Sequence, residues 1–299
     1  MTIKPPLLQQ GDTIGIIAPA GPLDREEIRP AIAFLKQKGY CILSSPNLYK
    51  RRAYLAGSDE SRLDDLHAMF SDKGVKAIFC ARGGYGTIRL LDRIDYNLIS
   101  KNPKIIAGYS DITALLLAIC KNTGLVTFHG PVLRDHHRGW KRNLGYLLSL
   151  LSSSVPPVID LSDRTVIAMG RARGMVMGGN LSLICSLVGT PFMPRTKGSI
   201  LFIEDRGEPL YRIDRMLSQL RLAGVIEGLS CLIAGSFADC GEAGDINRIL
   251  RDITSGTEIP VISGLPVGHG RENIAVPIGV HAEIDTRAMR LSFFAPGVT

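Results

Sequence analysis

Three side chains combine a reactive type with a position that exposes it: Ser110, Glu204 and His269. Ser110 stands where the apolar run Pro103-Lys104-Ile105-Ile106-Ala107-Gly108 meets the helix-forming residues 110–118. A serine at a strand-to-helix turn projects its hydroxyl from the top of a sheet, beside the unpaired N–H groups of a helix start. Those groups can hold a developing oxyanion. Its surroundings, Gly108-Tyr109-Ser110-Asp111-Ile112, lack the second glycine of the usual nucleophile elbow. Capping the helix, worth roughly 1 kcal/mol, is the commoner employment of such a serine. Glu204 follows the apolar stretch Ile200-Leu201-Phe202-Ile203 and opens a charged cluster that runs to Arg215. Its carboxylate either orients an imidazole or pairs with a neighbouring arginine. His269 lies on a loop between Gly268 and Gly270, which leave its ring accessible as a base, or as an ordinary surface histidine. The three types together suit acyl transfer. A serine hydroxyl needs a base to take its proton as it attacks, and a carboxylate on the far imidazole nitrogen fixes the tautomer and stabilises the imidazolium.

The elements that must position these residues alternate in the first half of the chain. Residues 12–18, 41–44, 77–80, 105–108 and 127–129 read as buried strands. Residues 25–38, 59–70, a segment ending at Arg93 and the run after Ser110 read as helices. Gly39 ends the first helix, and Ser58 or Asp59 caps the second. This interleaving predicts an α/β architecture: a doubly wound, mainly parallel sheet with helices on both faces. Ligands of such sheets sit outside the carboxyl ends of the strands. Arg82-Gly83-Gly84 and Gly108-Tyr109-Ser110 both fall there. After Leu151 the composition changes, and Ser152-Ser153-Ser154-Val155-Pro156-Pro157 has the makeup of a connector. The expected division is an α/β domain over residues 1–150, a linker over 151–166, and a smaller β-rich α+β domain over 167–299. Strands are expected there at 165–169, 174–176, 199–203, 231–234, 261–263 and in a closing hairpin, 280–285 with 289–293. Helices are expected at 212–221 and 246–253.

Composition excludes several classes. Hydrophobic residues at 45% and charged residues at 21% are those of a globular protein. No apolar segment reaches the roughly 20 residues that span a bilayer. The first residues lack a signal-peptide pattern, so a cytoplasmic protein with no membrane partner is expected. Six scattered cysteines without a C-x-x-C pair read as buried thiols, and the six histidines fall outside zinc-ligand spacing. Neither a disulfide framework nor a metal is expected. The net charge of +7 comes without the long basic runs or the aromatic content of a nucleic-acid surface. Basic residues facing an anionic small substrate account for it as well as solvated surface does. Gly83-Gly84-Tyr85-Gly86 fits neither a P-loop nor a dinucleotide fingerprint, so no cofactor is indicated and tight turning beside Ser110 is the better account.

Six segments, in order, carry a family resemblance. They are Gly11-Asp12-Thr13-Ile14-Gly15-Ile16-Ile17-Ala18-Pro19-Ala20, Ala81-Arg82-Gly83-Gly84-Tyr85-Gly86, Gly108-Tyr109-Ser110-Asp111-Ile112-Thr113-Ala114-Leu115, Glu204-Asp205, Tyr211-Arg212-Ile213-Asp214-Arg215-Met216-Leu217 and Gly268-His269-Gly270. Over essentially its whole length the chain resembles the serine LD-carboxypeptidases of the murein tetrapeptide carboxypeptidase type. The resemblance implies Ser110 as nucleophile, His269 as general base and then acid, and Glu204 as the carboxylate that orients the histidine. It implies hydrolysis without a metal, an N-terminal doubly wound domain with a smaller β-rich C-terminal one, and a homodimer. The substrate it implies is a small peptide, a cytoplasmic murein tetrapeptide of the L-Ala-D-Glu-diaminopimelate-D-Ala type, which loses its terminal D-alanine during cell-wall recycling. The nominated oxyanion donors are the backbone N–H groups of Asp111 and Gly84, the latter because a glycine lets backbone approach substrate closely. Arg82 is the candidate partner of the substrate carboxylate, or else of a local acid. Asn180 either lines the cleft or serves as a turn asparagine. Ser110 and Glu204 fall in different expected domains, so the site is expected in the cleft between them.

Close relatives within the same fold resemble microcin-C immunity peptidases, which cleave a peptidyl or aminoacyl nucleotide with the same triad. Trp140, the single tryptophan, lies in the basic stretch 134–142, which either contacts a phosphate or forms a solvated connection. A non-catalytic binder that closes its cleft on a small ligand is the remaining class.

Overall fold

The computed structural model describes residues 2–134 and 139–299. The first half forms strands β1 (Thr13–Ile17), β2 (Cys41–Ser44), β3 (Val75–Cys80), β4 (Ile105–Gly108) and β5 (Thr127–His129), with helices α1 (Arg25–Gln37), α2 (Asp59–Ser71), α3 (Tyr96–Lys101), α4 (Ile112–Thr123) and α5 (Trp140–Leu151). The second half adds β6 (Val158–Asp160), β7 (Thr165–Ala168), β8 (Arg171–Asn180), α6 (Leu181–Leu187), β9 (Ile200–Arg206) and α7 (Leu210–Leu222). It continues with β10 (Cys231–Ala238), α8 (Ala243–Ile253), β11 (Val261–Ser263), β12 (Val276–Ile278), β13 (His281–Asp285) and β14 (Arg290–Phe293).

Two sheets organise the chain. The first has the order β12-β5-β4-β3-β1-β2, and all its pairs are parallel except β12 with β5. Strands β1, β3 and β4 are apolar along nearly their whole length because helices cover them, and buried parallel strands read as continuous hydrophobic runs. The chain order turns back between β1 and β3, and the crevice at such a switch point is where doubly wound sheets bind ligands. The second sheet, β6-β14-β13-β8-β9-β10-β11-β7, is mixed. Its centre, β8 through β11, is parallel, and antiparallel strands flank it on both sides. The fold is therefore α/β: a doubly wound N-terminal domain and a smaller β-rich C-terminal one.

Local chemistry explains the helix ends. Asp24 and Glu27 form a capping box at the start of α1, and Gly39, at φ +90°, follows its last turn. The Ser58 hydroxyl caps α2 by accepting the Ser61 N–H at 3.2 Å. Helix α4 is buried without interruption from Ile112 to Cys120. A helix that is apolar all round must be covered all round, and α4 lies between β4 and β5 on one side and α6 and β8 on the other. The helix that starts just after Ser110 is thus clamped between the two halves of the molecule.

Several elements depart from the sequence reading. Residues 158–160, inside the expected linker, form β6 of the second sheet, and the strand expected from residue 165 is β7, which begins before the expected linker ends. Strand β12 lies within the expected C-terminal domain, yet it pairs with β5 of the first sheet. It is only Val276-Pro277-Ile278, too short for a periodic signal, and its proline suits an edge position. The segment through Arg93 is a 3-10 helix over Thr87–Arg93. Helices α3 and α6, of 6 and 7 residues, were too short to register. Of the basic stretch 134–142, residues 135–138 lie outside the described residues.

Candidate active site

Ser110 follows β4 directly, with φ +64°. A left-handed backbone at a non-glycine residue costs roughly 1–3 kcal/mol and persists only where the surroundings impose it. Here they do. A Cβ on Gly108 would come within 2.9 Å of Ile112 Cγ2 and 3.1 Å of Cys80 Cβ, so strand and helix meet closely there and a larger residue would push the start of α4 or β3 aside. Gly83 is equally constrained: a Cβ on it would lie 2.9 Å from Ser110 Cβ and 3.1 Å from Ser110 Oγ. The glycine cluster after β3 therefore packs directly on the serine. The Gly21 N–H donates to Gly83 O at 3.1 Å, which ties the loop after β1 to the same cluster at the switch point.

The second half delivers Glu204 and His269 from its own strand ends. Glu204 sits within β9, two residues before the strand stops, and is fully buried. Its Oε2 lies 2.7 Å from His269 Nδ1 and also accepts the His269 backbone N–H at 3.2 Å. With Nδ1–H donating to the carboxylate, the imidazole lone pair falls on Nε2. Gly268, at φ +100°, is required by this contact, because a Cβ there would lie 2.2 Å from Glu204 Oε2. Asn273 steadies the loop: buried, it accepts the Gly268 N–H at 2.9 Å. The Tyr109 ring packs on the His269 ring with centroids 4.8 Å apart.

Ser110 and His269 line one cavity of about 690 Å³, together with Gly83, Gly84, Tyr109, Arg82, Arg134, Arg206 and Arg271. Glu27 and Asp239 add two carboxylates. Glu27 pairs with Arg134 at 2.5 Å and Asp239 with Arg206 at 3.2 Å, so each acid is matched by one guanidinium. Arg82 and Arg271 form no ion pair among the described residues, and the described lining of the cavity holds more arginines than acids. Burial, and then repulsion from Arg134, lower the Arg82 pKa from its ordinary value. Arg82 donates to the Pro22 carbonyl, and it makes no ion pair with an acid among the described residues, although the charge of nearby Glu27 acts on it.

Asn180 does not line this cavity. It is buried, caps α6 by accepting the Leu183 N–H, and donates Nδ2–H to Asp205 at 3.0 Å. Of the two roles expected for it, lining the cleft is not the one observed: it ends β8 beside Glu204 in β9, and its side chain points to Asp205. Trp140 also lies away from the cavity lining, edge-on to Phe34 of α1 at 5.8 Å. Sequence reasoning missed Arg134, Arg206, Arg271, Tyr109 and Asn273. Their only common signal was proximity to a strand end or to a named motif residue.

Beneath the site, His129 is fully buried, and neither ring nitrogen has a hydrogen-bond partner among the described residues. It stacks edge-on with Phe202 at 5.1 Å. Burial, with repulsion from His269 adding to it, pushes its pKa down to about 3. In the unfolded chain the same ring takes up its proton near the ordinary value of 6.5. Between those two pH values the unfolded state binds the extra proton, so stability falls as the pH drops, by at most roughly 1.4 kcal/mol per pH unit. Urea unfolding at pH 7, 6 and 5 should show this slope, and His129→Phe should reduce it by about one proton. Equal slopes in the two proteins would refute the assignment.

No group of three metal-ligating side chains occurs among the described residues, and none of their helices is long and apolar enough to cross a membrane. Comparison with known proteins gives the family. Residues 14–130 match the LD-carboxypeptidase N-terminal domain, and residues 173–284 match the LD-carboxypeptidase C-terminal domain. A probable murein peptide carboxypeptidase of Bacillus subtilis is 41% identical over 96% of this chain and 92% of its own length. A muramoyltetrapeptide carboxypeptidase from Oxalobacter formigenes superposes with a TM-score of 0.83 at 31% identity, over 94% of this chain and 97% of that one. An MccF-like protein from Bacillus anthracis superposes with a TM-score of 0.91 at 29% identity, covering 98% of this chain and all of the other. Both halves and nearly the full length agree, so the chain belongs to the LD-carboxypeptidase family and is a peptidase of the carboxypeptidase type.

Proposed function

We propose that this protein is a serine LD-carboxypeptidase that releases the terminal D-alanine from murein tetrapeptides, with Ser110, His269 and Glu204 as its triad. The observation that carries the reading is the 2.7 Å contact between Glu204 and His269 Nδ1, on the cavity that Ser110 also lines. His269 Nε2 takes the Ser110 proton as Oγ attacks the carbonyl carbon of the bond before D-alanine. The N–H groups of Asp111 and Gly84 hold the oxyanion, where one lost donor costs on the order of 3 kcal/mol. The imidazolium, stabilised by Glu204, then gives its proton to the departing D-alanine amine. Water, deprotonated by the same imidazole, hydrolyses the acyl-enzyme and regenerates Ser110. Arg82 and Arg271, which form no ion pair among the described residues, suit a substrate that carries free carboxylates, and we assign the C-terminal one to Arg82, beside the glycine cluster. The family resemblance supports a cytoplasmic homodimer acting in cell-wall recycling.

The high likeness to an MccF-like fold supports a second reading, cleavage of a peptidyl or aminoacyl nucleotide by the same triad. That substrate calls for an aromatic to stack the base, and Trp140 packs on Phe34 instead. The deciding assay offers a murein tetrapeptide and a processed microcin in parallel, with EDTA present. D-alanine release in equal molar amount to tripeptide, unaffected by EDTA, is the expected result. Preferential hydrolysis of the nucleotide conjugate would promote the second reading, and loss of activity restored by zinc would reject the serine mechanism.

A further inference from the structure

The Asp111 side chain does not face the cavity. It is 2% exposed and turns back toward the glycine cluster, where its Oδ2 accepts the Thr87 N–H at 2.9 Å. The Gly86 N–H also bonds to this carboxylate. The Asp111 carbonyl accepts the Thr87 hydroxyl at 2.5 Å. From the other side comes Arg62, 1% exposed, whose Nη1 donates to Gly86 O at 2.9 Å and to Pro19 O at 2.5 Å. Arg62 is neutralised by Asp59 at the start of α2. One peptide segment, Gly86-Thr87, is thus gripped on its N–H side by a buried carboxylate and on its carbonyl side by a buried guanidinium. The packing is tight, since a Cβ on Gly86 would lie 2.7 Å from Arg62 Nη1.

Buried ionic groups of this kind are weak contributors to stability, and apolar replacements of similar volume are often as stable or more so. What they do supply is a fixed geometry. Residue 111 offers one nominated oxyanion donor from its backbone, and with its side chain holds the loop that offers the other. Gly83 and Gly84 lie between that grip and the serine. We propose that the Asp111 carboxylate and Arg62 form a buried clamp on Gly86-Thr87 that sets the Gly84 N–H against the Asp111 N–H and thereby tunes the oxyanion site. Both act as positioning residues. The proposal rests on the serine-hydrolase reading above.

The test compares Asp111→Ala and Asp111→Asn with the wild type in D-alanine release, in binding of a peptide boronate that forms a tetrahedral adduct on serine, and in binding of an unreactive peptide of the same sequence. Asp111→Ala should lower kcat roughly 10²–10³-fold, the scale of one lost oxyanion donor, with KM changed by less than about threefold. Boronate affinity should fall in step with kcat, while the unreactive peptide binds as before. Asp111→Asn keeps an acceptor oxygen and should recover at least about a tenth of the wild-type kcat. A kcat unchanged in Asp111→Ala, or boronate and unreactive peptide losing affinity together, overturns the clamp. Thr87→Val serves if Asp111→Ala does not fold: it removes one hydroxyl bond of the same grip and should lower kcat and boronate affinity by about three- to tenfold together. No change in either overturns the clamp. A wild-type protein that binds the boronate no better than Ser110→Ala does would instead overturn the hydrolase reading itself.

Discussion

Ser110→Ala should reduce D-alanine release by at least about 10⁴-fold, the largest single effect expected in this protein. Loss of the serine in a triad costs on the order of 10⁶ in kcat in the best-measured hydrolases, and the remaining groups retain some catalysis over water. The fold should survive. Alanine keeps the Cβ of Ser110 and adds no atom to the tight packing against Gly83, and the strained φ of +64° is a cost that serine and alanine share. The melting temperature should stay within about 3 °C of wild type, the scale of a substitution that opens no cavity. Labelling by a serine-directed fluorophosphonate should disappear in the same variant. Near-normal turnover in Ser110→Ala would end the assignment of Ser110 as nucleophile.

Glu204→Ala follows, with an expected loss of roughly 10⁴ in kcat, the scale seen when a triad acid is removed. Two donors, the His269 backbone N–H and Nδ1–H, converge on Glu204 Oε2. Glutamine at this position would satisfy both with its amide oxygen, so the imidazole keeps its tautomer and loses only the negative charge that stabilises the imidazolium. Glu204→Gln is therefore expected to cost less, roughly 10²–10³. Its kcat/KM should also respond to pH in a defined direction. With the negative charge gone, the imidazolium is less favoured, and the acidic limb of the profile moves to lower pH. A Glu204→Gln variant with an unshifted acidic limb would show that the carboxylate does not act through His269.

Much of the site was legible because its signals are local. The turn at Ser110 is written in an apolar strand, a glycine and a helix start, all within ten residues. Gly268 and Gly270 mark the loop that holds His269, and Glu204 is announced by the four apolar residues before it. Arg206 and Asp239 were not legible: one ends β9 and the other follows β10, and only the pairing of those strands sets their side chains across from one another. The Asp111 side chain was invisible for the same reason. Its partner Thr87 lies 24 residues away, and nothing in either local sequence names the other. Asn180 was open between a cleft and a turn role, and the structure comes nearer the second: it caps α6, and the neighbouring buried Asp205 claims its amide.

By itself, the sequence determined the alternation of elements and the doubly wound first sheet, and it singled out Ser110, Glu204 and His269 as the candidates for the chemistry proposed here. Hydrophobic runs, caps and glycines act over a few residues, where chain connectivity enforces their effect. Only the tertiary structure decided that Glu204 and His269 meet, that β12 crosses into the first sheet, and that the described lining of the cavity holds more arginines than acids. Those outcomes depend on contacts between segments more than 60 residues apart, as Glu204 with His269 shows. Such contacts are chosen by the packing of whole sheets and helices rather than by any property of the residues that meet.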